Sequence, residues 1–226
     1  MIFDIMATKK YAKSSYSQCG EDLIVNFIFS SLQIKKPTYL DIGAHHPAYL
    51  SNTAYFYSKG CSGINIEPDS TLFIAFKKNR RKDINLNIGI GIQQGTLDFY
   101  LMSSPTMNTF SKEEAEALVL EHGMSIKQVL SVPVDTLPNI IDEYCAGKFP
   151  DFLSLDVEGI DLKILTTIDY QRTCPKVVCV ETISFSNEGR GKKDLNIINF
   201  LQEKDYILYA DTYINSIFVR RSLWER

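Results

Sequence analysis

Tyr39-Leu40-Asp41-Ile42-Gly43-Ala44-His45 is the stretch on which the fold of this 226-residue chain turns. An apolar run that ends in a carboxylate and then a glycine reads as a strand with a sharp turn at its tip. Gly43 permits the tight backbone and its close approach to a ligand, while Asp41 can meet a hydroxyl or a cation there. A lone acid-x-glycine turn is a weak signal, and its weight comes from the strands after it. Gly63-Ile64-Asn65-Ile66-Glu67-Pro68 is a second apolar strand ending in an acid. In dinucleotide-type folds that spacing sets a carboxylate at the neighbouring strand tip, where it accepts both ribose hydroxyls. Leu86-Asn87-Ile88-Gly89-Ile90-Gly91 closes a third strand, with Asn87 placed to touch a base or sugar. The chain lacks a GxGxxG turn, which argues against a pyrophosphate cradle and so against NAD or FAD. Asp151-Phe152-Leu153-Ser154-Leu155-Asp156-Val157-Glu158-Gly159 then puts two acids at the tip of a fourth strand. Unpaired carboxylates are costly at such a place, so they imply partners or a ligand.

Around these tips, short Ile-, Val-, Leu- and Tyr-rich runs alternate with helical segments, the pattern of a mostly parallel α/β sheet covered by helices on both faces. The strands are predicted at 38–42, 62–66, 84–88, 152–156 and 177–181, with 206–210 and 216–219 as a closing antiparallel pair. A helix is predicted over 21–32, with Leu23, Phe27 and Ile28 facing inward. The reading is a single domain over 1–226, with a helical N-terminal extension (1–36) and an insertion (95–150). The insertion carries strands at 96–100 and 131–134, a polar turn at 103–111, and helices at 112–122 and 137–144. Insertions at strand C-termini usually select the substrate, so this one is expected to shape the acceptor site.

Hydrophobic residues make up 45% and charged residues 23% of the chain, as in soluble globular proteins, and no apolar run approaches the roughly eighteen residues of a membrane span. The N-terminus shows no secretion signal, so a cytoplasmic location is expected. A net charge of −3 speaks against a partner held by its phosphate backbone, so no nucleic acid is expected. The basic run Lys77-Lys78-Asn79-Arg80-Arg81-Lys82 reads as a solvated helix C-terminus favoured by the helix dipole. Five cysteines without a CxxC pair read as reduced thiols rather than a disulfide framework or zinc site.

In order, Ser17-Gln18-Cys19-Gly20-Glu21-Asp22, Leu40-Asp41-Ile42-Gly43-Ala44-His45-His46-Pro47, Ser51-Asn52-Thr53, Gly63-Ile64-Asn65-Ile66-Glu67-Pro68, Leu86-Asn87-Ile88-Gly89, Asn108-Thr109-Phe110-Ser111, Asp156-Val157-Glu158-Gly159 and Val180-Glu181-Thr182 resemble the FkbM family of methyltransferases. Cys61 departs from the pattern, where a tryptophan is expected. The resemblance implies a Rossmann-like class I methyltransferase sheet, S-adenosylmethionine as cofactor, and O-methylation of a hydroxyl on a sugar or glycan. The cofactor residues it implies are Asp41, Gly43, Ala44, Glu67, Pro68, Asn87 and Asp156; those toward the acceptor are Asn52, Asn108, Thr109 and Glu181.

A hydroxyl acceptor must lose its proton during attack, so a base or a metal is needed. The candidate bases are His45, His46, Asp156 and Glu158, with His46 and Asp156 the first choices. Asp156 and Glu181 are also a candidate pair for one Mg2+ ion. Other readings stay open: a lipid-linked or polyketide-like acceptor, a non-catalytic nucleoside-binding module, and a nucleic-acid methyltransferase, the last set back by the acidic balance.

Overall fold

The computed structural model describes residues 11–157, 159–183 and 191–225. Its main-sheet strands are β1 (Tyr39–Ile42), β2 (Gly63–Ile66), β3 (Ile84–Leu86), β7 (Phe152–Leu155), β8 (Val177–Glu181), β9 (Tyr206–Asp211) and β10 (Asn215–Arg220). β4 (Gly89–Gly91), β5 (Gly95–Met102) and β6 (Ile126–Thr136) belong to a smaller second sheet. The seven strands of the main sheet lie in the order β3-β2-β1-β7-β8-β10-β9. β3, β2, β1, β7 and β8 run parallel, and β10 is antiparallel to both of its neighbours. The expected closing pair is therefore present, with β10 inserted between β8 and β9.

The helices that matter to the site are α1 (Glu21–Ser31), α2 (Ala54–Ser58), α3 (Ser70–Asn79), α4 (Lys112–His122), α5 (Leu137–Cys145), α6 (Asp161–Thr166) and α7 (Leu195–Glu203). Side chains alternate across the strands and divide the core into two layers. Leu40, Ile42, Ile64, Ile66, Leu153, Leu155, Val178 and Val180 pack in one cluster, against α5, α6 and α7 through Ile140, Ile141, Ile164, Leu165 and Leu201. On the opposite face Tyr39, Phe152, Val177, Cys179, Ile217 and Val219 meet Val25, Ile28 and Phe29 of α1 and Phe56 of α2. Phe56 and Phe152 pack with ring centroids 5.7 Å apart, and each fully buried ring contributes about 1.5–3 kcal/mol.

On this second face the apolar residues stand at the strand beginnings and polar ones at the ends. The register sets Asp41 beside both Asn65 and Ser154. A cavity opens at those polar ends.

Three expectations are corrected. In α1 the inward positions are Val25, Ile28 and Phe29, while Phe27 is 55% exposed. The helical stripe through 25, 28 and 29 is the one that meets the aromatic cluster. The third strand stops at Leu86, and Gly89–Gly91 becomes the edge of the second sheet, ordered β4-β6-β5. A side chain at Gly89 would place its Cβ 2.3 Å from the Phe110 ring, so the glycine is what lets the insertion fold down there. Finally, Arg80 leaves the basic run and turns inward at the end of α3, with 1% exposure. No helix among the described residues is long and apolar enough to cross a membrane.

Candidate active site

A cavity of about 340 Å3 lies over the C-terminal ends of β1, β2, β7 and β8, within the size range of small-molecule sites. Its floor is the turn after β1. Gly43 and Ala44 both donate their N–H to the Ile66 carbonyl at 3.1 Å, tying this turn to β2. Gly43 has φ +73, and a Cβ there would sit 1.7 Å from the Asp156 carbonyl oxygen. Only glycine permits the β1 and β7 tips to approach this closely. Gly43→Ala is expected to destabilise the protein by about 3 kcal/mol or more, lowering Tm by roughly 6–12 °C, and to abolish ligand binding in the cavity. Thermal melts and calorimetry of the same preparation check both.

One end of the cavity is built around Glu67. Its Oε2 accepts the His45 N–H at 2.7 Å and its Oε1 the Asp69 N–H at 2.8 Å. A carboxylate has about four acceptor positions, so each oxygen keeps one for a ligand. Burial pushes the Glu67 carboxyl up to about 8 against the pull of those two amides. Pro68, Leu72, Ile90, Phe99, Met107 and Phe110 supply an apolar wall. A flat apolar ring carrying a diol matches this end.

The other end is polar, with Gln18, Asn52, Ser154, Asp156, Glu181 and Asn215 on its wall. Asp41 Oδ2 accepts the Thr53 hydroxyl at 2.6 Å, and the Asn52 amide donates to the Ser154 hydroxyl at 3.2 Å. The Asp156 side chain opens to the cavity. Asp156 and Glu181 are both raised well above the ordinary carboxylate range, first by desolvation and then by repulsion. The repelling charges are Asp161 and Asp41 on Asp156, and Asp156, Asp161 and Glu114 on Glu181. Each therefore holds its proton to a higher pH than a free carboxyl does. His45 is lowered, by burial and then by His46, so its imidazole is neutral at pH 7 and able to accept a proton.

Of the residues singled out in the sequence, Asp41, Gly43, Ala44, His45, Asn52, Glu67, Pro68, Asn108, Asp156 and Glu181 line the cavity. His46, Asn87 and Thr109 are not brought to its wall. The His46 ring turns to its own loop, where Nδ1 accepts the Ala48 and Tyr49 N–H groups at 3.1 and 2.8 Å. The Asn87 amide donates to the Glu67 and Pro68 carbonyls and so braces the β2 tip. Thr109 is buried and accepts the Ser111 N–H. Asn108 reaches the Glu67 end, but its amide is engaged by the Met102 N–H and by Asp69. Glu158 lies outside the described residues. The expected Mg2+ ion finds no support, because among the described residues no group of three or more His, Cys, Asp or Glu side chains is placed to hold a metal.

Sequence reasoning assigned no role to Ser154, Phe99 or Phe110. Ser154 was accessible to it, since period-two alternation places it on the same face as Asp156 and opposite Leu153 and Leu155. Phe99 and Phe110, with ring centroids 4.6 Å apart, carried no such signal because they arrive from the inserted segment that builds the second sheet. The insertion expected to shape the acceptor end thus supplies much of the apolar end beside Glu67.

No curated protein sequence matches the chain significantly. Among solved structures, one from Staphylococcus aureus assigned as a putative caffeoyl-CoA O-methyltransferase superposes with a TM-score of 0.50 over 96% of this chain and 92% of that one. At 12% identity this likeness concerns the fold alone, which is the class I methyltransferase architecture. The family model described as the methyltransferase FkbM domain matches residues 41–208, a span that holds nearly every residue of the cavity wall, and the chain belongs to the FkbM methyltransferase family.

Proposed function

We propose that this S-adenosylmethionine-dependent methyltransferase acts on a hydroxyl of a sugar or glycan. The observation that carries the reading is the division of the cavity into an apolar end with one buried carboxylate and a polar end of amides, a hydroxyl and carboxylates. Glu67 would accept the ribose diol, with Leu72, Phe99, Met107 and Phe110 against the adenine. Asp41, on the β1 tip, would face the cationic amino-acid end. These residues fit the cofactor because Glu67 keeps free acceptor positions and Gly43 lets the β1 and β7 tips close together beneath the cavity, where a Cβ would meet the Asp156 carbonyl.

When bound, S-adenosylmethionine supplies an electrophilic sulfonium methyl group. Because the electrophile is already activated, the protein mainly aligns the acceptor oxygen and removes its proton. Gln18, Asn52, Ser154 and Asn215 can hold neighbouring hydroxyls of a polyol by donating to or accepting from them. Asp156, on the same wall as Glu181, presents in its ionised form a carboxylate able to take the hydroxyl proton. His45, neutral and on the same wall, is the alternative base. This replaces His46, whose acceptor nitrogen is already engaged by two amides.

A panel of nucleotide-activated sugars and surface glycans, incubated with labelled methyl donor and read by mass spectrometry, tests the acceptor class. Label in a sugar hydroxyl is the expected result. Label confined to lipid-linked or polyketide-like acceptors would replace the sugar reading.

A further inference from the structure

Arg80 is the largest of the fully buried side chains, and its hydrogen bonds converge on the cavity from behind. Nε donates to the Pro47 carbonyl at 2.8 Å. Nη2 donates to Ser51 Oγ at 3.1 Å and to Thr53 Oγ1 at 3.3 Å. Nη1 donates to the Tyr39 hydroxyl at 3.1 Å and meets Asp83 at 3.4 Å. The guanidinium also lies over the Tyr57 ring, 4.9 Å from its centroid. One buried cation therefore ties together β1, the chain between β1 and α2, α2 itself and the turn before β3.

Stability alone does not account for this arrangement. A buried ion pair is often no better for stability than apolar residues of the same volume, and both partners are almost fully enclosed here. What apolar residues could not supply is the fork. A planar guanidinium with five donors fixes several acceptors at once, and two of those fixed here, Ser51 and Thr53, belong to the cavity wall or lie one hydrogen bond behind it. Leu50, Ser51 and Asn52 line the cavity, and the Thr53 hydroxyl donates to Asp41 Oδ2.

We propose that Arg80 is a positioning residue for the site: through Thr53 it orients the Asp41 carboxylate, and through Pro47 and Ser51 it keeps the chain that carries the wall residues Leu50, Ser51 and Asn52 in place. Asp41's contact with the cofactor rests on the proposed function; its dependence on Arg80 does not.

Desolvation raises the Asp41 carboxyl, and the Thr53 hydroxyl, Arg80 and the Ser154 hydroxyl draw it back, while Asp83 pushes it up. The other titratable groups that feel it are Asp156 beyond β7, Glu67 at the β2 tip, Tyr39 on β1 and Cys179 on β8. Removing the Thr53 hydroxyl leaves burial less opposed, so Asp41 takes up its proton at a higher pH. A cation held by ionised Asp41 is then lost earlier as the pH falls.

The test is a carboxyl-carbon NMR titration of the ligand-free protein, with the Asp41 signal identified by its loss in Asp41→Asn. Thr53→Val is expected to move the Asp41 titration upward by about one pH unit or more, and Thr53→Ser to restore it. Arg80→Lys keeps a charge but cannot bridge Ser51, Thr53 and Tyr39 together, so it should shift Asp41 in the same direction. In calorimetry, Thr53→Val should weaken S-adenosylhomocysteine binding about tenfold at neutral pH and by less at alkaline pH, a dependence that loosened packing would not produce. An Asp41 titration unmoved in Thr53→Val overturns the proposal. If the unmodified protein binds no S-adenosylhomocysteine, the cofactor reading fails, while the titration still decides the role of Arg80.

Discussion

Glu67→Ala is expected to weaken S-adenosylhomocysteine binding by roughly 100-fold to 10,000-fold while leaving the circular dichroism spectrum unchanged. Two hydroxyls donating to a carboxylate make two charge-assisted hydrogen bonds at about 1.5–3 kcal/mol each, and 1.4 kcal/mol is a factor of ten. The substitution also frees the His45 and Asp69 amides that Glu67 now holds, so the floor of the cavity loosens with it. Normal affinity in the variant would remove Glu67 from the site.

The same carboxylate sets a pH dependence of definite sign. With its pKa pushed up to about 8 by burial, Glu67 is mostly protonated at pH 7 in the ligand-free protein. Hydroxyls donating to the ionised form lower that pKa on binding, so binding releases a proton. Affinity therefore increases as pH rises and levels off above about 8, with a slope below that point of up to tenfold per pH unit. Glu67→Gln should bind weakly and lose this part of the slope, which separates it from any contribution of Asp156 and Glu181. The stability of the ligand-free protein moves the other way. A carboxyl raised in the folded state binds a proton that the unfolded chain has already lost, so its contribution to stability declines as pH climbs from about 4.5 toward 8.

Asp156→Asn should lower kcat by about 10²- to 10⁴-fold, the usual range for loss of a general base. The change in cofactor affinity should be far smaller. In the unmodified enzyme the rate should rise with pH as Asp156, pushed up to about 7 by desolvation and by Asp161 and Asp41, gives up its proton, since the ionised carboxylate is the form that accepts one. In the variant that limb should vanish. A variant close to full activity, together with a loss of that size in His45→Ala, would transfer the base to His45.

How much of this could be read from the chain depends on whether the relevant contact is local. The strand runs and the acids at their tips were legible because a parallel strand buried on both faces needs an unbroken apolar run, and a carboxylate closing such a run has few places to go but a site. Asp41, Glu67, Asp156 and Glu181 were found in this way, and all four meet on the cavity wall. His45 and His46 were not separable, because adjacent residues of equal chemistry differ only in where the backbone turns them. His45 has φ +53, and beyond it the His46 ring is captured by amides of its own loop. The Thr109 and Asn87 side chains were likewise claimed by backbone partners that no spacing rule announces.

The second sheet was only partly legible. Strands were expected at 96–100 and 131–134, while β6 begins at Ile126 with four exposed residues that hydrophobic patterning does not mark, and the pairing of β5 and β4 with β6 has no local signal. Arg80 is the sharpest case. In Lys77-Lys78-Asn79-Arg80-Arg81-Lys82 nothing distinguishes one cation from its neighbours, and the whole run reads as solvated. The sequence by itself determined a mostly parallel α/β sheet, the strands of its parallel half and the carboxylates at their tips, because these are written in local apolar runs and the punctuation that ends them; the class I assignment came from the family resemblance. The tertiary structure alone decided which histidine faces the cavity, which end the insertion walls and which arginine is buried. Each of those depends on a partner distant in the chain, and the free energy of burying a polar group is set by that partner rather than by its neighbours in sequence.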